Sequence, residues 1–228
     1  MLNKIKTKNA FTLAEVLITL VIIGIVAALT IPSVINNYHK KQVGVKLKKF
    51  YSVMQQALTR YYSAEGINPD SFEFNSNTVR NGPKSLEWFN NSLGKYITVV
   101  DKNKQLGGSG IHYWVIFNDG SGFTSYINSN KLAYFFFCTE FRHCRVSADG
   151  TFEAREAYDG RTSFLFQINN GKFTTAQPGA GRSAALAGCK YPSFTDDDDR
   201  AIHRHYCARL VQLDGWEIKD DYPWYPDI

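Results

Sequence analysis

The 228-residue chain contains no G-x-S-x-G elbow, no H-E-x-x-H pair and no phosphate-binding glycine loop. Each absence removes a class of chemistry: a serine nucleophile on an α/β-hydrolase sheet, a zinc protease, and a nucleotide phosphate cradle. No C-x-x-C spacing occurs, which counts against a structural zinc site. His143 adjoins Cys144, but adjacency in sequence does not place a thiol and an imidazole for catalysis. Charge of one sign is also scarce. The formal net charge of +5 falls to +2 once Lys4, Lys6 and Lys8 are set aside, leaving 23 basic against 21 acidic residues. A balance of that kind gives no electrostatic footprint for nucleic acid. No internal repeat is present. We therefore expect neither an enzyme nor a nucleic-acid partner.

Hydrophobic residues make up 44% of the chain and aromatics 14%, enough for a packed core and too much for bulk disorder. All four cysteines, Cys138, Cys144, Cys189 and Cys207, lie in the second half. An even number in an exported domain points to two disulfides. Three pairings are open. The short loops Cys138–Cys144 and Cys189–Cys207 are favoured because local pairs close easily, each adding about 2–4 kcal/mol. The rival is a zinc site that adds His143, His203 or His205 to the cysteines. His203 and His205 are two apart and do not share a helix face.

Residues 11–31 read FTLAEVLITLVIIGIVAALTI, interrupted only by Thr12, Glu15, Thr19 and Thr30. A run near twenty residues crosses a bilayer core as a helix. Lys4, Lys6 and Lys8 precede it, and lysines before a span stay on the cytoplasmic side, so the rest of the chain is expected to be exported. A removable secretory signal has the same basic start. The run is long for such a signal, however, and Ala27-Ala28-Leu29 is a poor cleavage site. Glu15 is the anomaly: a carboxylate within a span costs at least about 2 kcal/mol without a partner. Snorkelling to the interface is the plain explanation, and a cation at the same depth is the functional one.

The segment Lys8-Asn9-Ala10-Phe11-Thr12-Leu13-Ala14-Glu15 resembles the processing motif of type IV prepilins and type II secretion pseudopilins. Gly24 and Pro32 fall at the offsets that family shows, and the resemblance covers residues 8–32. It implies cleavage by prepilin peptidase between Ala10 and Phe11, followed by methylation of the new amine. The family usually has glycine where this chain has Ala10, also a small residue. The resemblance further implies that Glu15 pairs with the Phe11 amine of a neighbouring subunit. Two charges costly alone become tolerable together at low dielectric, which makes assembly selective for register. It also implies that the helix can unwind between Gly24 and Pro32 in assembled filaments. Pro32 removes a donor and Gly24 lowers helix propensity, so a mild kink is the simpler expectation.

Beyond the span, Val43, Leu47, Phe50, Met54, Ala57 and Tyr61 recur at helical spacing. The opposite face carries Lys40, Lys41, Lys46, Lys48, Lys49, Gln55 and Arg60. We expect those lysines to be solvated, with lipid head groups or a neighbouring subunit as the sharper alternative. Gly66 is the expected cap. Residues 65–110 read as loop with a short helical piece at Ser85–Phe89. Strands are expected at Ile111–Phe117, Phe123–Ile127, Lys131–Phe137, Phe164–Ile168 and Lys172–Thr175, with turns at Asn118–Gly122 and Asn169–Gly171. Residues 176–188, rich in Gly, Ala and Ser, read as an irregular loop. A helix carrying Ile202, Tyr206, Leu210 and Leu213 comes after Thr195-Asp196-Asp197-Asp198-Asp199, and Thr195 or an early Asp suits its cap. The same carboxylates, Asp196 to Asp199, are the candidate calcium ligands, as some major pseudopilins bind calcium near the C-terminus. The tail, Asp214-Gly215-Trp216-Glu217-Ile218-Lys219-Asp220-Asp221-Tyr222-Pro223-Trp224, resembles the ending of certain bacterial secretion-type pilin-like proteins. Its aromatics are expected to pack on the sheet or to form a contact site.

The expected architecture is α+β: a long N-terminal helix against an antiparallel β-sheet, pilin-like. Residues 1–10 are the leader, 11–31 the span, 32–64 the continuing helix and 65–228 a globular domain with disulfides. The expected function is a structural pilin or pseudopilin of a type II secretion pseudopilus or type IV pilus, with a size that favours a minor subunit or a larger lineage-specific one. Its partners are prepilin peptidase, other subunits and the bacterial inner membrane, with the domain in the periplasm or cell exterior. Apart from the calcium candidate, no cofactor is expected. The alternative is a signal-anchored or secreted envelope protein outside any filament.

Overall fold

The computed structural model describes residues 12–106, 112–144, 159–190 and 204–224, with the side chains of 101–106 excepted. The chain divides into two units, Met1–Lys40 and Lys41–Ile228.

Within the first unit, helix α1 (Leu13–Glu65) begins and carries its apolar residues on all sides. Leu13, Leu17, Val21, Ile23, Leu29 and Val34 are all exposed, as suits a helix whose solvent is hydrocarbon. Thr19 and Thr30 donate their hydroxyls to the carbonyls of Val16 and Val26, both at 2.9 Å. Neither hydroxyl is left without an acceptor inside the apolar run. Pro32 lies within α1 and the helix continues past it.

In the second unit α1 buries one face: Val43, Gly44, Leu47, Phe50, Met54, Ala57, Leu58 and Tyr62. The spacing is helical, but Tyr62 rather than Tyr61 is the last core residue. The helix stops at Glu65 because Gly66 takes φ +64° and Ile67 N donates to Tyr62 O at 3.0 Å, a glycine-terminated Schellman stop. Helix α2 (Gly82–Asn91) is capped by Asn81, whose side chain accepts from Lys84 N at 3.1 Å. It contributes Leu86 and Phe89 to the core.

Six antiparallel strands come next in sequence order: β1 (Asp101–Leu106), β2 (His112–Ile116), β3 (Gly122–Ile127), β4 (Ala133–Cys138), β5 (Ser163–Asn169) and β6 (Lys172–Thr175). Registers such as Val115↔Phe123, Phe123↔Phe137 and Phe137↔Phe164 bring alternate residues of successive strands to one face, as the two-residue period of a strand requires. That face meets α1. Phe50 stacks on Phe137 with centroids 4.3 Å apart, and Phe166, Phe173, Phe123 and Phe117 surround it at 5.1–6.1 Å. The other face holds a smaller cluster of Phe136, Leu165 and Ala176 with Tyr126 and Tyr134. Asn170 and Gly171, at φ 47° and 68°, join β5 to β6. This is the two-residue hairpin turn an Asn-Gly pair favours.

Three expectations fail. Strand β1 falls in a stretch read as loop: its sequence, DKNKQL, has no apolar alternation and suits an edge strand, where charge discourages further pairing. Residues 182–190 form helix α3 (Arg182–Lys190) instead of loop; Ala184-Ala185-Leu186-Ala187 has high helix propensity, which outweighs the flanking glycines. Helix α4 (Cys207–Leu213) starts after Tyr206, which stands at its N-cap position instead of within it; the expected caps, Thr195 and the acids after it, lie outside the described residues.

His112 sits on β2 with its ring edge-on to Tyr126 at 4.9 Å. Burial, helped by the charge of Arg80, pushes its pKa down to about 4. Between that value and the ordinary 6.5 the unfolded chain binds more protons than the folded one, so stability is full above pH 6.5 and lost as pH falls toward 4. Denaturation of the detergent-solubilised full chain at about pH 7 and 4.5 will show this loss. His112→Gln will lose less, by an amount on the order of 2 kcal/mol after allowance for partial exposure.

Candidate processing and assembly segment

The start of α1 is built by two residues of the apolar run. Thr12 N and Thr12 Oγ1 both donate to Glu15 Oε2, each at 2.8 Å, and Glu15 N donates to Thr12 Oγ1 at 3.2 Å. This reciprocal pattern is a capping box, which satisfies backbone donors that a helix start otherwise leaves open. A carboxylate at that end also opposes the positive end of the helix dipole. Glu15 is therefore held by Thr12 within its own chain, a role that the reading of Glu15 as a charge alone misses. The Thr-x-x-Glu spacing is the signal that carries it.

Gly24 lies in α1 with no heavy atom within 4 Å of where a Cβ would stand. Around Gly24 and Pro32 the single chain is helical throughout. Ala10 and Phe11 lie outside the described residues, as does the calcium candidate Asp196–Asp199.

The cysteines form Cys138–Cys144 and Cys189–Cys207, with Cα separations of 5.7 and 4.7 Å. The two local pairings are thus the ones present. These thiols are consumed, which removes both the zinc rival and the thiol nucleophile at Cys144. Among the described residues no group of three metal-ligating side chains occurs.

The expected solvated lysine face is also partly wrong. Lys46 Nζ donates to Thr139 O at 2.7 Å, and Lys49 pairs with Asp119 at 2.7 Å. They border a cleft of about 310 Å³ that also includes Phe50, Tyr96 and Phe117. Burial opposes ionisation of Asp119, but hydrogen bonds from Lys49 and Ser121 and the Lys49 charge outweigh it, and its pKa is lowered to about 2.

The tail aromatics join the core cluster shared by the sheet and α1, and they also meet helix and loop. Trp216 meets Tyr51 of α1 at 4.9 Å. Its carbonyl crosses α1 so closely that a Cβ at Gly44 would stand 2.3 Å from the oxygen. Arg182 of α3 holds Asp214 through Nε at 2.6 Å and Nη2 at 3.1 Å, and Asp221 through Nη1 at 3.0 Å and Nη2 at 2.9 Å. Two-pronged pairs of this kind fix geometry as well as charge. Tyr222 donates its hydroxyl to Gly160 O, and the Arg161 guanidinium lies 5.6 Å from the Trp224 ring centre.

Comparison with known families gives two matches. A model described as a family of unknown function, DUF6613, matches residues 33–225. The chain belongs to that family. A second model, the prokaryotic N-terminal methylation motif, matches residues 5–31. No curated protein and no solved structure matches the chain. This DUF6613 member is accordingly a type IV pilin-like precursor whose N-terminus carries the signal for prepilin peptidase. The two matches divide the polypeptide between them. The motif ends at Ile31 with the apolar run, and the DUF6613 match begins at Ser33, just past Pro32.

The capping box has a measurable consequence. Thr12→Val keeps the volume of the side chain and removes the hydroxyl that both accepts from Glu15 N and donates to its carboxylate. A lost cap costs about 1 kcal/mol. Hydrogen exchange on the full chain in lipid will then be roughly fivefold faster at the amides of residues 13–16 and unchanged beyond Gly24.

Proposed function

We propose that this protein is a structural filament subunit, a pilin or pseudopilin, of a type IV pilus or a type II secretion pseudopilus. Before assembly it is anchored in the bacterial inner membrane by the first half of α1. Its folded unit stands in the periplasm, and reaches the cell exterior if the filament does. Its immediate partners are prepilin peptidase and other subunits of pilin type, and its role involves no catalysis. The observation that carries this reading is the methylation motif at residues 5–31, with Glu15 placed at the start of the helix.

Physical chemistry supports the reading at three points. The apolar residues of the first unit are exposed on every side, so they require either lipid or other helices around them. Cutting before Phe11 creates an amine beside a carboxylate already oriented by Thr12. Methylation preserves the charge of that amine, so a neighbouring Glu15 can neutralise it in a low-dielectric filament core. Two disulfides within the folded unit suit an oxidising compartment outside the cytoplasm.

Glu15→Ala tests the proposal. The wild-type chain is expected in filaments sheared from its host or from cells overproducing the assembly machine. The variant is expected to stay in the membrane fraction, processed but unassembled, with roughly a tenfold drop or more in the sheared fraction, as an unpaired buried charge implies. Incorporation of the variant at the wild-type level contradicts the charge-pairing step. A wild-type chain that never leaves the membrane fraction contradicts the filament itself.

A further inference from the structure

The cleft beside Lys46 and Lys49 belongs to the folded unit and is walled from separate parts of its chain. One wall is a face of α1, where Lys46, Lys49, Phe50 and Val53 follow one another at helical spacing. A second wall is the turn between β2 and β3, and another is the segment 96–98 that precedes β1.

Hydrogen bonds within the unit hold these walls. In the turn, Asp119 Oδ1 accepts from Ser121 N at 3.1 Å, Phe117 N donates to Ser121 O at 2.8 Å, and Phe141 N donates to Gly120 O at 2.8 Å. The segment 96–98 is tied on both sides. Tyr96 N donates to Leu93 O and Val100 N to Ile116 O, each at 2.9 Å. The cleft is thus formed before anything enters it, which spares a ligand much of the cost of ordering its site.

The lining is apolar on one side and charged on the other. Phe50, Val53, Ile97 and Phe117 supply apolar surface, with Tyr96 beside them. Lys46 and Lys49 supply ammonium groups, and Asp119 a carboxylate. An ammonium carries three donors. Lys46 Nζ gives one to Thr139 O at 2.7 Å, an acceptor without formal charge. Lys49 Nζ gives one to Asp119 Oδ2 at 2.7 Å. The two lysines rise from neighbouring positions on α1, so an anionic oxygen at this rim can take further donors from both. Asp119 stays ionised in neutral solution, its pKa being lowered to about 2, and it opposes a second negative charge on the same ligand. A volume of about 310 Å³ is at the small end for ligand sites. It suits a molecule of about ten non-hydrogen atoms.

We infer that this cleft binds a small monocarboxylic acid with an aromatic or branched aliphatic body. Its carboxylate is held by Lys46 and Lys49, and its body lies against Val53 and Phe117. The inference concerns one folded unit and stands apart from the filament reading.

The test uses the full-length chain in zwitterionic nanodiscs with phenylacetate as the ligand. Saturation-transfer NMR of the phenylacetate ring protons follows binding, and empty discs are the blank. The expected result is saturable binding with a Kd on the order of 1 mM. Phenylacetamide has the same shape without the charge and will bind at least about fivefold more weakly. Lys46→Met keeps an apolar stem, removes the ammonium and will bring the affinity for the acid close to that for the amide. Val53→Phe narrows the cleft and will weaken both compounds roughly tenfold, with a cooperative melt showing that the fold persists. Wild-type signal that does not saturate above the blank overturns the inference. So does equal affinity for acid and amide, or acid binding that neither variant weakens, which places the acid outside the cleft. Glu15→Ala leaves the cleft unchanged and will bind phenylacetate as the wild type does, so the filament reading is decided separately.

Discussion

The packing of Phe50 against five phenylalanine rings is the interaction on which the folded unit depends. Phe117, Phe123, Phe137, Phe166 and Phe173 come from β2 to β6 or their flanks, and their rings gather at 4.3–6.1 Å around one side chain of α1. Apolar burial and aromatic contacts of this extent favour one register of helix on sheet over its neighbours. The rest of the helix within that unit is placed by this choice. Leu47 and Met54 fall into the core one turn to either side, Gly44 comes under the Trp216 carbonyl, and Lys46 and Lys49 are set at the rim where Thr139 O and Asp119 receive them.

The same helix serves two environments because its pattern changes along its length. From Leu13 to Ile35 the apolar residues point in all directions and none is buried within the chain. From Val43 onward the buried residues keep to one face, with Val45 left exposed. Capping supplies the boundary conditions: Thr12 and Glu15 close the N-terminal end, and Gly66 closes the C-terminal end. The capping box gives Glu15 a function in the unassembled chain, where it needs a donor. Under the proposed function, assembly adds a cationic partner for a carboxylate that is already oriented.

Much of this is legible in the residues. The core face of α1, the Gly66 stop, the Asn170-Gly171 turn, four of the strands nearly to their ends and the local disulfide loops all derive from period, turn chemistry and loop closure. What escapes has physical causes. Strand β1 is polar, so its membership of the sheet comes from backbone pairing with β2, which leaves no periodic trace. Helix α3 hides in a segment whose glycines read as loop. The attachment of the tail to α1 needs Gly44 and Trp216 to meet across most of the chain, a contact no local pattern encodes. At the N-terminus, the processing motif draws notice to Phe11 and Glu15 as charges and away from the Thr12–Glu15 spacing as a cap.

The central claim concerns what happens at the bond before Phe11. Intact mass together with N-terminal sequencing, on protein taken from its own host, measures it. A chain that begins at N-methylated Phe11 is the predicted result: the leader has been removed by prepilin peptidase and the amine is in place to meet a neighbouring Glu15. A chain that begins at Met1, or near Thr30 where a secretory signal would be cut, contradicts it. The apolar half of α1 would then be an ordinary anchor or a discarded signal.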